Sequence, residues 1–135
     1  MSYQIEAMSV AGNSGTLSIK NSIFEFGTTT KTENDLANPA ELFLGSLAAC
    51  ILKNVERFSS LLKFDYLKAY INIKAQRLDG PPRMDDIFYE LTIHSQDSNL
   101  NAKLLQKNLE KFGTIYNTIK QVCNISGTIK IKPLV

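Results

Sequence analysis

One cysteine stands where a nucleophile could work. Cys50 ends the segment Asn38-Pro39-Ala40-Glu41-Leu42-Phe43-Leu44-Gly45-Ser46-Leu47-Ala48-Ala49-Cys50. A thiol there is either a small packed hydrophobe, as free cysteines often are, or a nucleophile held in a dry pocket. The thiolate is the reactive form. It develops near pH 8.5 in water, and lower beside a cation or a helix N-terminus. Cys50 falls about three turns inside a predicted helix, beyond the reach of the helix dipole. Unless a cation comes from elsewhere, a thiol so placed is a slow nucleophile at neutral pH.

Few other groups could assist. Cys123, in Gln121-Val122-Cys123-Asn124, reads as a bystander, because a bridge to Cys50 would need the two Cα atoms within about 7 Å. Glu41 follows Asn38 by three residues and reads first as the glutamate of a helix capping box. Arg57 shares the helix face of Cys50 but sits roughly 10 Å along the axis, and reads as a solvated or interface arginine. His94 is the single histidine. It falls on the polar face of a strand with Glu90 and Thr92, so a histidine-based metal site is not expected. Phosphate loops, dinucleotide fingerprints and serine-nucleophile elbows are not found.

The elements that must position Cys50 are legible from periodicity. Gln4 to Ser9, Thr16 to Lys20 and Ser22 to Phe26 read as a meander of short strands joined at Gly12-Asn13-Ser14-Gly15 and Lys20-Asn21-Ser22. A polar loop, Gly27 to Ala37, leads to a helix predicted from about Pro39 to about Leu62. Pro39 suits its first position. Leu47, Ile51, Val55, Phe58 and Leu62 form its stripe, widened by Phe43, Leu44, Ala48 and Leu52. Its N-terminal half is apolar nearly all round, which predicts a central, buried helix. Two alternating strands follow, with Leu67, Ala69, Ile71, Ile73 and Ala75 and then Ile87, Tyr89, Leu91 and Ile93 on their inward faces. Asp79-Gly80-Pro81-Pro82 turns between them. A second helix starts near Asn99 or Asn101 and carries Leu105, Leu109 and Phe112, with Gly113 as its predicted stop. A helical turn over Ile115, Tyr116, Ile119 and Val122 and a strand from Gly127 to Lys132 complete the order. The class is α+β, in a single domain spanning residues 1–135.

Bulk properties exclude several function classes. The chain has 135 residues, long enough for a core of its own, and a net charge of +2. With its lysines scattered, neither a nucleic-acid nor a membrane partner is expected. Two cysteines do not make a disulfide scaffold, which predicts free thiols and a cytoplasmic location. A signal peptide and a membrane-spanning stretch are not expected either.

The stretch from Asn38 to Cys50 resembles the first cysteine motif of the OsmC/Ohr family. There Asn-Pro-Glu, a leucine and a run of small residues lead through Ala-Ala or Ala-Gly to the cysteine. The two alternating strands around Pro81-Pro82-Arg83-Met84 are similar to the family, as is Leu104 to Ile119 before a final strand. In element order the resemblance covers nearly the whole chain. It implies the OsmC-like α+β fold, with mostly antiparallel sheets packed on two central helices, in an intertwined homodimer with sites at the dimer interface.

It also implies a thiol-dependent peroxidase chemistry. A peroxidatic thiolate attacks the peroxide oxygen, a second cysteine resolves the sulfenic acid as a disulfide, an arginine stabilises the thiolate, and a glutamate holds the arginine. Cys50 matches the peroxidatic position. The family glutamate aligns with Ala40, and Glu41 is the next residue. The second cysteine's segment is occupied by Glu110-Lys111-Phe112-Gly113-Thr114-Ile115, so Gly113 stands where that thiol would be. No arginine precedes Arg57, and Lys20 and Lys31 are the cations ahead of the first helix. A lysine cannot reproduce a planar bidentate clamp.

The expected function is thus an OsmC-like redox protein that reduces organic hydroperoxides through Cys50, with an external thiol resolving it. Its catalytic residues are Cys50 and Glu41, and it uses no cofactor or metal. The alternative is a catalytically decayed member that binds a small lipophilic ligand at the dimer interface. Expected partners are a second copy of the chain, a small apolar hydroperoxide or lipophilic ligand, and an external thiol reductant.

Overall fold

The computed structural model describes residues 1–134. Its elements run β1 (Glu6–Ser9), β2 (Gly15–Ile19), β3 (Ser22–Phe26), a 3-10 turn (Thr30–Thr32), α1 (Pro39–Leu61), β4 (Lys68–Leu78), β5 (Arg83–His94), α2 (Ala102–Phe112), α3 (Thr114–Ile119) and β6 (Ile125–Lys132). This is the predicted α+β order. By its contacts the chain divides near the start of α1 into two units, residues 1–43 and the remainder.

The first unit is the antiparallel meander β1-β2-β3. Gly12, at φ 78°, takes a left-handed conformation in its first turn, where glycine carries no steric penalty. Gly15 lies opposite Phe26, and the Phe26 ring covers it: a Cβ on Gly15 would stand 2.3 Å from the ring. Gly15 is buried, while the apolar side chains Met8, Val10, Ile23 and Phe24 are exposed. The first residues of α1 belong to this unit and start as predicted. The Glu41 N–H donates to Asn38 Oδ1 at 2.9 Å, and the Asn38 N–H donates to Glu41 Oε1 at 3.0 Å. This is a complete capping box that satisfies two orphan donors of the helix start.

The second unit holds the core. Leu47, Ile51, Val55 and Phe58 of α1 are buried. They meet Ile87, Tyr89, Leu91 and Ile93 of β5, Leu105 and Leu109 of α2, and Tyr116 and Ile119 of α3 in one cluster. Each such burial contributes about 1.5–3 kcal/mol. β4 and β5 form the predicted hairpin, with Ile71 opposite Leu91. β6 lies on the other side of β5 and runs parallel to it, Leu91 opposite Ile129. A parallel neighbour needs a crossover, which α2 and α3 supply. Three of the four strand pairings are antiparallel. Asn101 caps α2, its Oδ1 accepting from the Leu104 N–H at 3.1 Å.

Two expectations are corrected. The N-terminal half of α1 is not buried all round: Phe43, Gly45, Ser46 and Ala49 are exposed, and Leu47 is its buried position. One chain's core covers one stripe of the helix, so the rest of its apolar perimeter stays open. Gly113 does end α2, but not as a left-handed stop. Its φ is −74° and ψ 118°, extended values open to any residue. What disfavours a side chain there is crowding of an added Cβ by its neighbours.

Candidate functional site

Cys50 lies in the middle of α1 and is half-buried. One turn on, Asn54 donates its Nδ2 to the Cys50 carbonyl at 3.0 Å and approaches Sγ at 3.8 Å. The sulfur therefore has a polar neighbour on its own helix. The i, i+4 spacing of Cys50 and Asn54 is the sequence signal that could have found it.

One position near the sulfur from outside α1 is Gly113, at the α2–α3 junction. A Cβ on Gly113 would stand 3.1 Å from Cys50 Sγ, 3.1 Å from Tyr116 Cβ and 3.0 Å from the Leu109 carbonyl oxygen. The thiol thus borders the space a side chain at 113 would fill, and only glycine leaves that space without crowding. The fold brings together the two positions that the cysteine motif and the aligned junction segment singled out. Here they carry one thiol and one bare Cα.

Below the junction lies a polar group that the sequence did not reveal. Tyr89, 1% exposed, donates its hydroxyl to Glu110 Oε2 at 2.7 Å. Gln106 Nε2 donates to the Tyr89 hydroxyl at 3.0 Å and to the Gly127 carbonyl at 2.8 Å. Burial, followed by the nearby Glu110 charge, pushes the Tyr116 hydroxyl up to about 12. The Tyr89 hydroxyl is shifted upward too, chiefly by burial. Both phenols therefore stay protonated, and Tyr89 donates, as a buried tyrosine hydroxyl requires. Gly127 admits this arrangement, since a Cβ there would stand 2.3 Å from the Tyr89 ring.

The remaining residues picked from sequence lie in other settings. Cys123 is half-buried, and its Sγ donates to the Met84 carbonyl at 3.4 Å. Burial, with a smaller contribution from Asp85, shifts its thiol upward, away from the thiolate. Both cysteines are free. Arg57 is exposed and stacks 5.4 Å from the Phe58 ring centre, as an interface or solvated arginine would. His94 sets Nδ1 against the Pro133 carbonyl at 2.9 Å.

Glu41 spends its carboxylate on the cap. Glu41→Ala is expected to destabilise the protein by about 1 kcal/mol, and Glu41→Gln, which can still reach the Asn38 N–H, by less. Urea midpoints of the two variants check this order.

Comparison with known proteins follows from this geometry. A sequence model described as OsmC-like protein matches residues 32–129. No curated protein matches the chain. An OsmC-like protein from Mycoplasma pneumoniae has the same fold, with a TM-score of 0.87 at 21% identity over 98% of both chains. An organic hydroperoxide resistance protein from Elizabethkingia anophelis, solved with thiocyanate bound, aligns over 98% of both chains with a TM-score of 0.69 at 17% identity. A protein from Legionella pneumophila, described as organic hydroperoxide resistance protein OsmC, aligns over 96% of this chain and 97% of its own, with a TM-score of 0.63 at 16% identity. At such identities the structural likeness is one of fold.

Proposed function

Since the chain belongs to the OsmC-like protein family, we propose that it is a thiol-dependent redox enzyme that reduces organic hydroperoxides through Cys50. The observation that carries this reading is the approach of Gly113 to the Cys50 sulfur. It sets the thiol against the junction where a two-cysteine member would hold its second thiol, and it leaves Cys50 to work alone. The hydroperoxide resistance proteins among the fold's relatives support the substrate class.

The chemistry then needs an external thiol. The Cys50 sulfur takes the terminal oxygen of the hydroperoxide, the O–O bond breaks, and an alcohol leaves with the proton. Cys50 becomes a sulfenic acid. A small external thiol attacks it, releasing water and forming a mixed disulfide. A second external thiol frees Cys50 and departs as the disulfide. In sum, one hydroperoxide and two thiols give one alcohol, one disulfide and one water. Asn54 steadies the sulfur from its own helix, and Glu41 fixes the start of that helix.

A homodimer is part of the proposal. The first unit exposes the apolar side chains Met8, Val10, Ile23 and Phe24, and a three-stranded sheet needs apolar cover to be stable. This unit carries Glu6, Glu25, Glu33, Asp35 and Glu41 against Lys20 and Lys31, whereas the remainder of the chain has an excess of cations. A second copy offers both the apolar cover and the opposite charge.

One observation favours a second reading, a binding module for a small lipophilic ligand: the second thiol's position is filled by backbone. Hydroperoxide consumption separates the two. Wild-type protein is expected to consume an organic hydroperoxide when supplied with a small thiol. No turnover with any monothiol or dithiol donor would leave the binding module.

A further inference from the structure

We infer that the outer face of the β4-β5-β6 sheet binds single-stranded nucleic acid. Side chains alternate between faces along each strand. Ile71, Leu91 and Ile129 are paired across the sheet and pack on the core, so their neighbours in each strand face outward. Pairing then sets Lys68, His94 and Lys132 side by side in one outward row, and Tyr70, Thr92 and Lys130 in the next. Lysines that are scattered along the sequence are thus gathered by the register of three strands. Over the span where all three strands pair, this face sets Lys68, Lys74, Lys130 and Lys132 against Glu90, and all five are exposed. That excess of three positive charges is more than the net +2 of the whole chain. The charge of the molecule is concentrated here.

Two features of the face fit a nucleotide chain. Lys68 and Lys132 stand about 10 Å apart across the end row, close enough for their long side chains to converge on one phosphate as point charges. His94 lies between them in register, its Nδ1 donating to the Pro133 carbonyl at 2.9 Å. In the next row, about 7 Å along β4, the Tyr70 ring is 61% exposed. An exposed ring among lysines offers a base a stacking platform beside a phosphate anchor. A duplex hides its base faces in its own stack, so a single strand is the form that uses the ring. Charge and stacking read no base edge, so preference among sequences is small. The four lysines also lie on the two edge strands, where lysine discourages edge pairing. That role alone requires no exposed ring and predicts no binding.

The test is fluorescence anisotropy of a labelled oligothymidylate about 12 nucleotides long, titrated with the full-length protein at about 50 mM salt. The expected result is a Kd below about 100 μM that weakens as salt rises. Tyr70→Ala is expected to weaken binding at least about fivefold. Lys130→Gln combined with Lys132→Gln is expected to weaken it too, and to lower the log–log salt slope by roughly 0.7 for each lysine. A second measurement needs no variant. His94 is the single histidine, so its ring signals in proton NMR are assigned at once, and they are expected to shift when the oligonucleotide is added to the wild-type protein. Absence of binding below about 100 μM, or unmoved His94 signals, overturns the inference. So does a Tyr70→Ala variant that binds as wild type does. The face would then be a purely electrostatic surface, and binding to vesicles containing an anionic lipid would assign it to membranes instead. Neither measurement involves Cys50, so this inference and hydroperoxide reduction stand or fall separately.

Discussion

Cys50→Ser is expected to abolish thiol-dependent consumption of an organic hydroperoxide, leaving only the uncatalysed background. The reaction has one covalent intermediate, the sulfenic acid on Cys50, and a serine hydroxyl cannot form its equivalent. Cys123→Ser is expected to keep turnover within about twofold of wild type, since burial holds that thiol away from the thiolate form and its sulfur is spent on the Met84 carbonyl. The pair is informative because the two substitutions are chemically identical. Each replaces a half-buried thiol with a hydroxyl, at a cost of about 1–3 kcal/mol if the hydroxyl finds no partner. General destabilisation would therefore lower both activities alike, whereas the proposed mechanism lowers one. Initial rates for both variants, with urea titrations to show that each is folded, make the comparison.

Gly113→Cys is expected to close a disulfide with Cys50. Across a disulfide, a Cβ and the opposite sulfur stand about 3 Å apart, given an S–S bond near 2.04 Å. A Cβ at position 113 would stand 3.1 Å from Cys50 Sγ without any backbone movement. In the reduced protein the same contact is a clash, tight also against the Leu109 carbonyl and Tyr116 Cβ. Reduced Gly113→Cys, and Gly113→Ala as its control, should lose about 1–3 kcal/mol. Oxidation turns the clash into a bond and closes a loop of roughly 60 residues, which the chain-entropy relation values at about 4 kcal/mol. The oxidised variant should thus outlast its reduced form in urea, show one titratable thiol in place of three, and weigh 2 Da less (two hydrogens, as any disulfide requires). Three free thiols after mild oxidation would mean that the junction does not lie over Cys50.

Local rules carried much of this fold in the sequence. The cap of α1 was readable because Asn38, Pro39 and Glu41 each act within one turn, and the capping box forms as their spacing predicts. The stripe Leu47, Ile51, Val55 and Phe58 was readable because a helix repeats every 3.6 residues, and all four are buried. The β4–β5 hairpin followed from period-2 alternation and a Gly-Pro-Pro turn. Relations between distant segments were hidden. That β6 lies parallel to β5 depends on the path of the chain through α2 and α3, which no local pattern encodes. That Gly113 meets Cys50 depends on how the α2–α3 junction settles against α1. From sequence alone Gly113 was a helix stop at the aligned thiol position; its backbone is extended, and an added Cβ there would crowd Cys50, Tyr116 and the Leu109 carbonyl.

The candidate site divides the same way. Cys50 was legible because its motif is contiguous, and the aligned segment pointed to Gly113 as the vacant thiol position. The Glu110, Tyr89 and Gln106 group was not, because it joins one helix to two strands through side-chain tips. Its residues read one by one as a core aromatic and two helix-surface polar groups. Asn54 could have been found from its helical spacing alone.

The central claim is that Cys50, without a second cysteine, is oxidised by an organic hydroperoxide and waits for an external thiol. The most direct measurement is mass spectrometry of the reduced protein after one equivalent of an organic hydroperoxide, with a sulfenic-acid trapping reagent present and no thiol. The account predicts a trapped adduct on the Cys50 peptide, none on the Cys123 peptide, and loss of the Cys50 adduct when a small thiol is added before the trap. An unmodified Cys50 with the hydroperoxide unconsumed would contradict it.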